Sequence, residues 1–192
     1  MTLSGINKAN SHKLIIERAH NVSVLSSFYC GNTTVDTFIH NELQDYLDMG
    51  NCKLFVVKDN DEVIGMFCLE TSNLTLSESA KKQMLDGKKP SPKEAPKSHD
   101  DYYWLKVVYE ATEITYFAIR KDRQNEYIGS SIIESIMQKV SQNKDFKGEY
   151  VIVRALNENN YSAIPFYKKR GFTPATNEVP NQNLFMYRVV RR

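Results

Sequence analysis

The chain has 192 residues, a formal net charge of +2 and 25% charged residues. That length suits one domain, or one domain with a sizeable insertion, and it can bury a core without help from disulfides or metal. The near-balance of charge argues against a dedicated nucleic-acid binder, which carries a clear basic excess, but it leaves room for a local basic patch.

Cys30, Cys52 and Cys68 are an odd, scattered set with no CxxC spacing. They fit neither a disulfide framework nor a zinc site, and point to a reducing, cytoplasmic compartment. The histidines (His12, His20, His40 and His99) form no HxxxH pair, so no metal is expected. The stretch from Met1 to Lys8 lacks the apolar core of a signal peptide. No run approaches the ~18 apolar residues of a membrane span, so no membrane partner is expected.

In chain order, Leu14-Ile15-Ile16 reads as a first strand. Phe28 to Thr34 reads as a turn into a helix, where Thr33 and Asp36 form a capping box with Asp in place of Glu. Val35, Phe38, Ile39, Leu43, Tyr46 and Leu47 recur at helical spacing over three turns, and Gly50 ends the helix. Leu54–Val57 and Val63–Leu69 flank the polar run Lys58-Asp59-Asn60-Asp61-Glu62, which predicts a β-hairpin.

Residues 72–101 differ in composition, with Pro90, Pro92, Pro96, six lysines and five acids. They predict a short helix near 77–85 followed by a proline-stiffened loop, either a substrate-facing flap or a solvated insertion. Strands follow at Tyr102–Val108 and Thr112–Ile119, then a helix from about Gly129 to Ser141 with Ile132, Ile133, Ile136, Met137 and Val140 on one face. Tyr150–Val153 is a strand. Ser162 to Arg170 reads as a helix capped by Ser162, with Pro165 in its first turn and Gly171 closing it. Leu184–Val189 is the last strand. The order is β-α-β-β-insertion-β-α-β-α-β, an α/β or α+β mixed sheet.

Two clusters carry chemistry. The turn from Arg120 to Ser130 joins a strand to a helix, whose N-terminal N–H groups and partial positive charge favour an anion. Gly129 permits close backbone approach there, and Arg123 adds charge. The second cluster is Asn160-Tyr161-Ser162-Ala163-Ile164-Pro165-Phe166-Tyr167-Lys168-Lys169-Arg170-Gly171-Phe172.

The second cluster, Asn-x-x-Ala-x-x-Phe-Tyr-x-x-x-Gly-Phe, resembles the second signature of the GNAT N-acetyltransferases. The stretch Glu113–Ile119 with Gln124–Ser130 is similar to their acetyl-CoA signature, Gln/Arg-x-x-Gly-x-Gly/Ala. The two stand in family order. The resemblance implies a GNAT-type, mostly antiparallel central sheet flanked by helices. It further implies one N-acetyltransferase domain over 1–192, with an acetyl-CoA-binding core of about 112–172.

The resemblance also implies roles. Backbone amides of Gln124, Asn125, Glu126, Tyr127, Ile128, Gly129 and Ser130 would cradle the pyrophosphate of acetyl-CoA. Main-chain groups of Phe117, Ala118 and Ile119 would bind the pantetheine arm as an added strand, and an N–H there would polarise the thioester carbonyl. Asn160 would bond the pantetheine. Tyr167 would protonate the departing thiolate, from a phenol of ordinary pKa near 10. Glu113 is the base candidate for the amine, with Glu110 a weaker rival; on a strand Glu113 shares a face with Phe117 unless a bulge intervenes. One departure stands out: Tyr127 occupies the place of the first motif glycine, where a side chain either crowds the pyrophosphate or points away.

Phe28-Tyr29-Cys30-Gly31-Asn32-Thr33-Thr34-Val35-Asp36-Thr37-Phe38-Ile39 resembles the opening of the GNAT branch that includes aminoacyl-tRNA-acetylating toxins, with Val35 in place of Leu. The leading expectation is direct transfer from acetyl-CoA to a primary amine, on a small molecule or a protein. The net charge disfavours tRNA as a partner. A CoA-sensing or interaction module is the non-enzyme alternative, and a homodimer is compatible with the resemblance. An acetyl-cysteine intermediate on Cys30 or Cys68 is disfavoured, because neither has a histidine near it in sequence.

Overall fold

The computed structural model describes residues 2–3, 14–77, 106–142, 148–158, 160–175 and 183–190. Contacts divide the chain into two units, Met1–Glu70 with Ile114–Lys139, and Thr71–Glu113 with Val140–Arg192.

The first unit holds β1 (Thr2–Leu3), β2 (Leu14–Ala19), a 3-10 turn (Val22–Leu25), α1 (Thr33–Asn41), α2 (Leu43–Asp48) and β3 (Lys53–Asp59). It also takes the start of β4 (Glu62–Ser77), the end of β5 (Lys106–Ile119) and most of α3 (Ile128–Gln142). The strands run β1-β2-β3-β4-β5. β2 pairs antiparallel with β3, and β3 with β4, with a register shift between Val57 and Lys58. Period-two alternation sorts the side chains. Leu54, Val56, Met66, Cys68 and Ala118 join Leu25, Phe28, Ile39 and Leu43 in one buried cluster beneath α1 and α2. Phe55 and Phe67 stack with centroids 5.0 Å apart, and Lys139 of α3 lies over Phe55. At Gly65, a Cβ would sit 3.4 Å from Cδ1 of Ile132, so α3 covers that second face closely.

The predicted single helix after Gly31 is two helices. Glu42 leaves helical geometry at φ −125°, and α2 restarts with no side-chain cap. The apolar periodicity runs across the break, which is why spacing alone reads it as continuous. The cap also differs from the expected Thr33. Asn32 is the N-cap, its Oδ1 accepting from Val35 N at 3.1 Å. Asp36 reaches back past it, accepting from Cys30 N at 2.8 Å and Gly31 N at 2.9 Å. The expected Thr33–Asp36 box is therefore absent: with Asn32 as the cap, N3 is Val35, whose side chain has no acceptor to return, and Asp36 instead ties down the two residues that precede the cap.

The second unit holds the rest of β4 and β5, β6 (Tyr150–Ala155), the hairpin β7 (Asn157–Glu158) and β8 (Tyr161–Ser162), α4 (Ile164–Lys169), β9 (Thr173–Pro174) and β10 (Leu184–Val189). Its strands run β4-β5-β6-β10-β9. β10 pairs antiparallel with β6 from Leu184↔Ala155 to Val189↔Tyr150. Tyr109 meets Tyr150, and Glu113 meets Arg154, at the same sequence offset, so β5 and β6 run parallel as a helical crossover requires. Leu74, Ala111, Tyr150, Ile152 and Tyr187 form the core here, with Tyr109, Ala175 and Phe185 against it. Gly148 has φ +110°, and a Cβ there would lie 2.1 Å from the carbonyl oxygen of Glu110. Only glycine fits.

The fold is the expected mixed α/β arrangement on a mostly antiparallel sheet. The strands expected at 102–108 and 112–119 are one strand, β5, as far as the described residues reach. Residues 72–77 of the expected insertion are still strand, since β4 runs to Ser77. Residues 78–105, with the remainder of the helix near 77–85 and with Tyr102 and Tyr103, lie outside the described residues. Among the described residues, no helix is long and apolar enough to cross a membrane.

Candidate active site

In the first unit, β5 ends at Ile119 and the chain makes a 3-10 turn at Lys121–Arg123 before α3 begins at Ile128. Gln124 fixes this turn. Its Nε2 donates to the Cys30 carbonyl at 2.8 Å and to the Ile119 carbonyl at 3.0 Å. Lys121 N donates to the Tyr29 carbonyl at 3.0 Å, a second tie to the same N-terminal segment. The side chain of Gln124 is thus a brace, and only its backbone is left for the expected cradle.

Asn125 and Tyr127 both take left-handed backbone, at φ +67° and +62°. Tyr127 occupies the place of the motif glycine and keeps the conformation a glycine would adopt freely. Its side chain is 77% exposed, so it lies on the outside of the turn. The Tyr127 carbonyl accepts from Ser130 N at 3.1 Å and Ser131 N at 3.2 Å. Among the described residues, no acceptor is found for the N–H groups of Tyr127, Ile128 and Gly129. These donors head a 15-residue helix with no acidic residue in its first turn, which suits a phosphate.

Arg123 does not lend its charge to the cradle. It donates to Asp59 at 2.8 Å and to Glu126 at 3.0 Å. Arg120 likewise makes a two-pronged pair with Asp122 and a further pair with Glu62. Nothing local in the sequence signals the Asp59 or Glu62 partnerships, which join residues distant in the chain.

In the second unit, Asn160 is exposed in the turn between β7 and β8. α4 then starts at Ile164 rather than Ser162. Ala163 is its N-cap without a side-chain bond, although Ser162 Oγ accepts from Ile164 N at 3.4 Å. Tyr167 is 7% exposed, its ring edge-on to Phe166 and Phe172 at 5.2 and 5.3 Å. Among the described residues its hydroxyl has no hydrogen-bond partner. Burial, with the neighbouring Tyr161, pushes this phenol well above the ordinary value near 10 expected from sequence. Tyr167 is therefore held protonated across the neutral range.

Glu113 is buried on β5. Oε2 accepts from Ser72 Oγ at 2.9 Å, and Oε1 from Arg154 Nε at 3.1 Å. Ser72 and Arg154 were not singled out by sequence, because both partners lie 41 residues away. Glu110 is exposed. All three cysteines are buried and free. Burial pushes the Cys30 thiol up to about 11, which makes a poor nucleophile at neutral pH. Cys68 is raised by its hydrogen bond with Cys52 and by burial. Among the described residues no group of three or more metal-binding side chains occurs.

The sequence pattern of the acetyltransferase (GNAT) family matches residues 23–172, more than half of the chain. The chain belongs to the GNAT acetyltransferase family. No curated protein matches it significantly. Among solved structures, a mutant of the toxin AtaT aligns at TM-score 0.69 and 18% identity, over 98% of this chain and 96% of that one. AtaTR bound with acetyl-CoA aligns at TM-score 0.63 and 22% identity, over 92% and 94%. AtaT complexed with acetyl-methionyl-tRNAfMet aligns at TM-score 0.60 and 19% identity, over 90% and 93%. At such identities the likeness carries the fold, and activity must be argued from this chain's own residues.

In this GNAT chain the turn after β5 retains its backbone donors despite Tyr127, because the left-handed conformation survives the loss of glycine. Of the main-chain groups expected to bind pantetheine, the Ile119 carbonyl already accepts from Gln124.

Proposed function

We propose that this acetyltransferase moves an acetyl group from acetyl-CoA directly to a primary amine. The observation that carries the reading is the set of N–H groups at Tyr127, Ile128 and Gly129, at the head of α3, that find no acceptor among the described residues. They would bind the pyrophosphate, with Asn125, Glu126 and Ser130 completing the turn. Main-chain groups of Phe117, Ala118 and Ile119 would hold the pantetheine arm, with Asn160 as a side-chain donor to it. Glu113 takes the proton of the ammonium, oriented by Ser72 and Arg154. The amine lone pair then attacks the thioester carbonyl carbon, and Tyr167 gives its proton to the thiolate as the C–S bond breaks. The proton shed by the new amide nitrogen restores the phenol, while Glu113 returns its own proton to water. A neutral, buried phenol is in the right protonation state for that step.

The acceptor we favour is a cationic amine, on a small molecule or a protein. From residue 19 to residue 52 the chain has no Lys or Arg, while Glu42 at the break between α1 and α2, and Asp45 and Asp48 on α2, are exposed. Such a surface repels a phosphate backbone, which sets this chain's charge against the aminoacyl-tRNA reading. The test is acetyl-CoA binding by calorimetry, followed by CoA release with spermidine, a lysine-bearing peptide and charged tRNA in parallel. We expect release with the first two. Acetylation of charged tRNA alone would reverse the acceptor assignment. Binding without release to any acceptor would favour a CoA sensor. No binding at millimolar acetyl-CoA would remove the enzyme reading altogether.

A further inference from the structure

We infer that Tyr127 is a specificity residue for the nucleotide half of acetyl-CoA, stacking on the adenine ring. The inference rests on the acetyl-CoA reading above and extends it to a residue that replaces the motif glycine. Three observations meet at this position. The backbone is left-handed, φ +62°, where a tyrosine is strained and a glycine is not. The ring is 77% exposed, so packing within the described chain does not repay that strain. The residue's own N–H is one of the donors at the head of α3 without an acceptor among the described residues. A ring attached to the cradle itself is within a residue's reach of whatever the cradle holds.

The chemistry of the ligand selects the contact. From a pyrophosphate, acetyl-CoA extends in two directions. One is the flexible pantetheine arm, whose amides suit a strand such as β5. The other is the adenosine 3′-phosphate, whose base offers a flat π-face. Tyr127 is the one aromatic residue between Arg120 and Ser131. The other apolar residue there, Ile128, is buried. An exposed phenol has little to offer pantetheine, but stacking on a base is sequence-tolerant and substantial, roughly five-fold or more in affinity.

The experiment is calorimetric binding of acetyl-CoA and of S-acetyl-4′-phosphopantetheine, which lacks the adenosine, to the intact protein and to its Tyr127→Gly and Tyr127→Phe variants. We expect Tyr127→Gly to weaken acetyl-CoA binding about five-fold or more, although glycine relieves the backbone. Tyr127→Phe should keep the affinity, and S-acetyl-4′-phosphopantetheine should bind all three proteins alike. Acetyl-CoA binding to Tyr127→Gly that equals or exceeds the parent overturns the inference. So does an equal loss for both ligands, which would make Tyr127 a shaper of the turn. If the parent protein binds neither ligand, the acetyl-CoA reading fails with it, and that outcome is distinct from the other two.

Discussion

Arg154 Nε stands 3.1 Å from Oε1 of Glu113, placing a guanidinium that is 65% exposed on a carboxylate that is almost fully buried. The pair is lopsided. Water screens the arginine, while the glutamate depends on its partners for charge compensation. Arg154→Ala should therefore destabilise the protein by about 1–2 kcal/mol, less than a fully buried pair would lose. Chemical denaturation measures this. Glu113→Gln keeps the shape and the Ser72 bond but removes the base, and should lower kcat on the order of 100-fold. Turnover unchanged in Glu113→Gln would reduce Glu113 to a structural anchor.

Tyr167→Phe separates chemistry from packing. The hydroxyl makes no hydrogen bond within the described chain, so the variant should fold with unchanged stability. Acetyl-CoA affinity should be retained and kcat should fall on the order of 100-fold or more. A variant that turns over normally would remove Tyr167 as the acid.

Gly148→Ala should be severely destabilising, by about 3 kcal/mol or more. The added methyl would approach a main-chain oxygen, Glu110 O, at 2.1 Å, and backbone within a sheet cannot yield as a side-chain tip would. Loss of soluble expression, or a large drop in melting temperature, is the expected result. A near-normal melting temperature would mean that the close approach of these two segments is not maintained.

Alkaline pH should unfold the protein. Burial pushes Tyr187 up to about 12, and raises Tyr46, Tyr116, Tyr150 and Tyr167 in the same direction. In the unfolded chain these phenols ionise near pH 10. Above that pH the unfolded state has lost protons that the folded state still holds, so stability falls as pH rises from about 10 to 12. Below 10 both states are neutral and these groups contribute no slope. Urea midpoints at pH 9 and pH 11 test this, and Tyr187→Phe should flatten the difference.

Much of this was legible in the sequence, for physical reasons. β10 matches its predicted span of Leu184–Val189, and α3 differs by a residue at each end, since both have strong periodicity and clear breakers. The family motifs fixed the order of β5, α3, β6 and α4. Long-range polar partnerships were not legible. In sequence Arg123 reads as added charge for an anion, whereas Asp59, 64 residues earlier, engages it. Glu42 breaks the helix without a glycine or proline to announce it. Tyr127 shows the limit differently: its identity departs from the motif, but its backbone angle conforms.

The Gln124 clasp on Cys30 joins residues 94 positions apart. Closing so long a loop is a slow, entropically expensive event compared with forming a helix or a hairpin. On a ribosome, the segment around Cys30 emerges long before its partner has been made. The turn after β5 therefore acquires its shape late, and a chain truncated before Gln124 would leave the start of α1 without its brace. Slow appearance of ligand-binding competence, after the helical signal has already returned, is the refolding behaviour this connectivity prescribes.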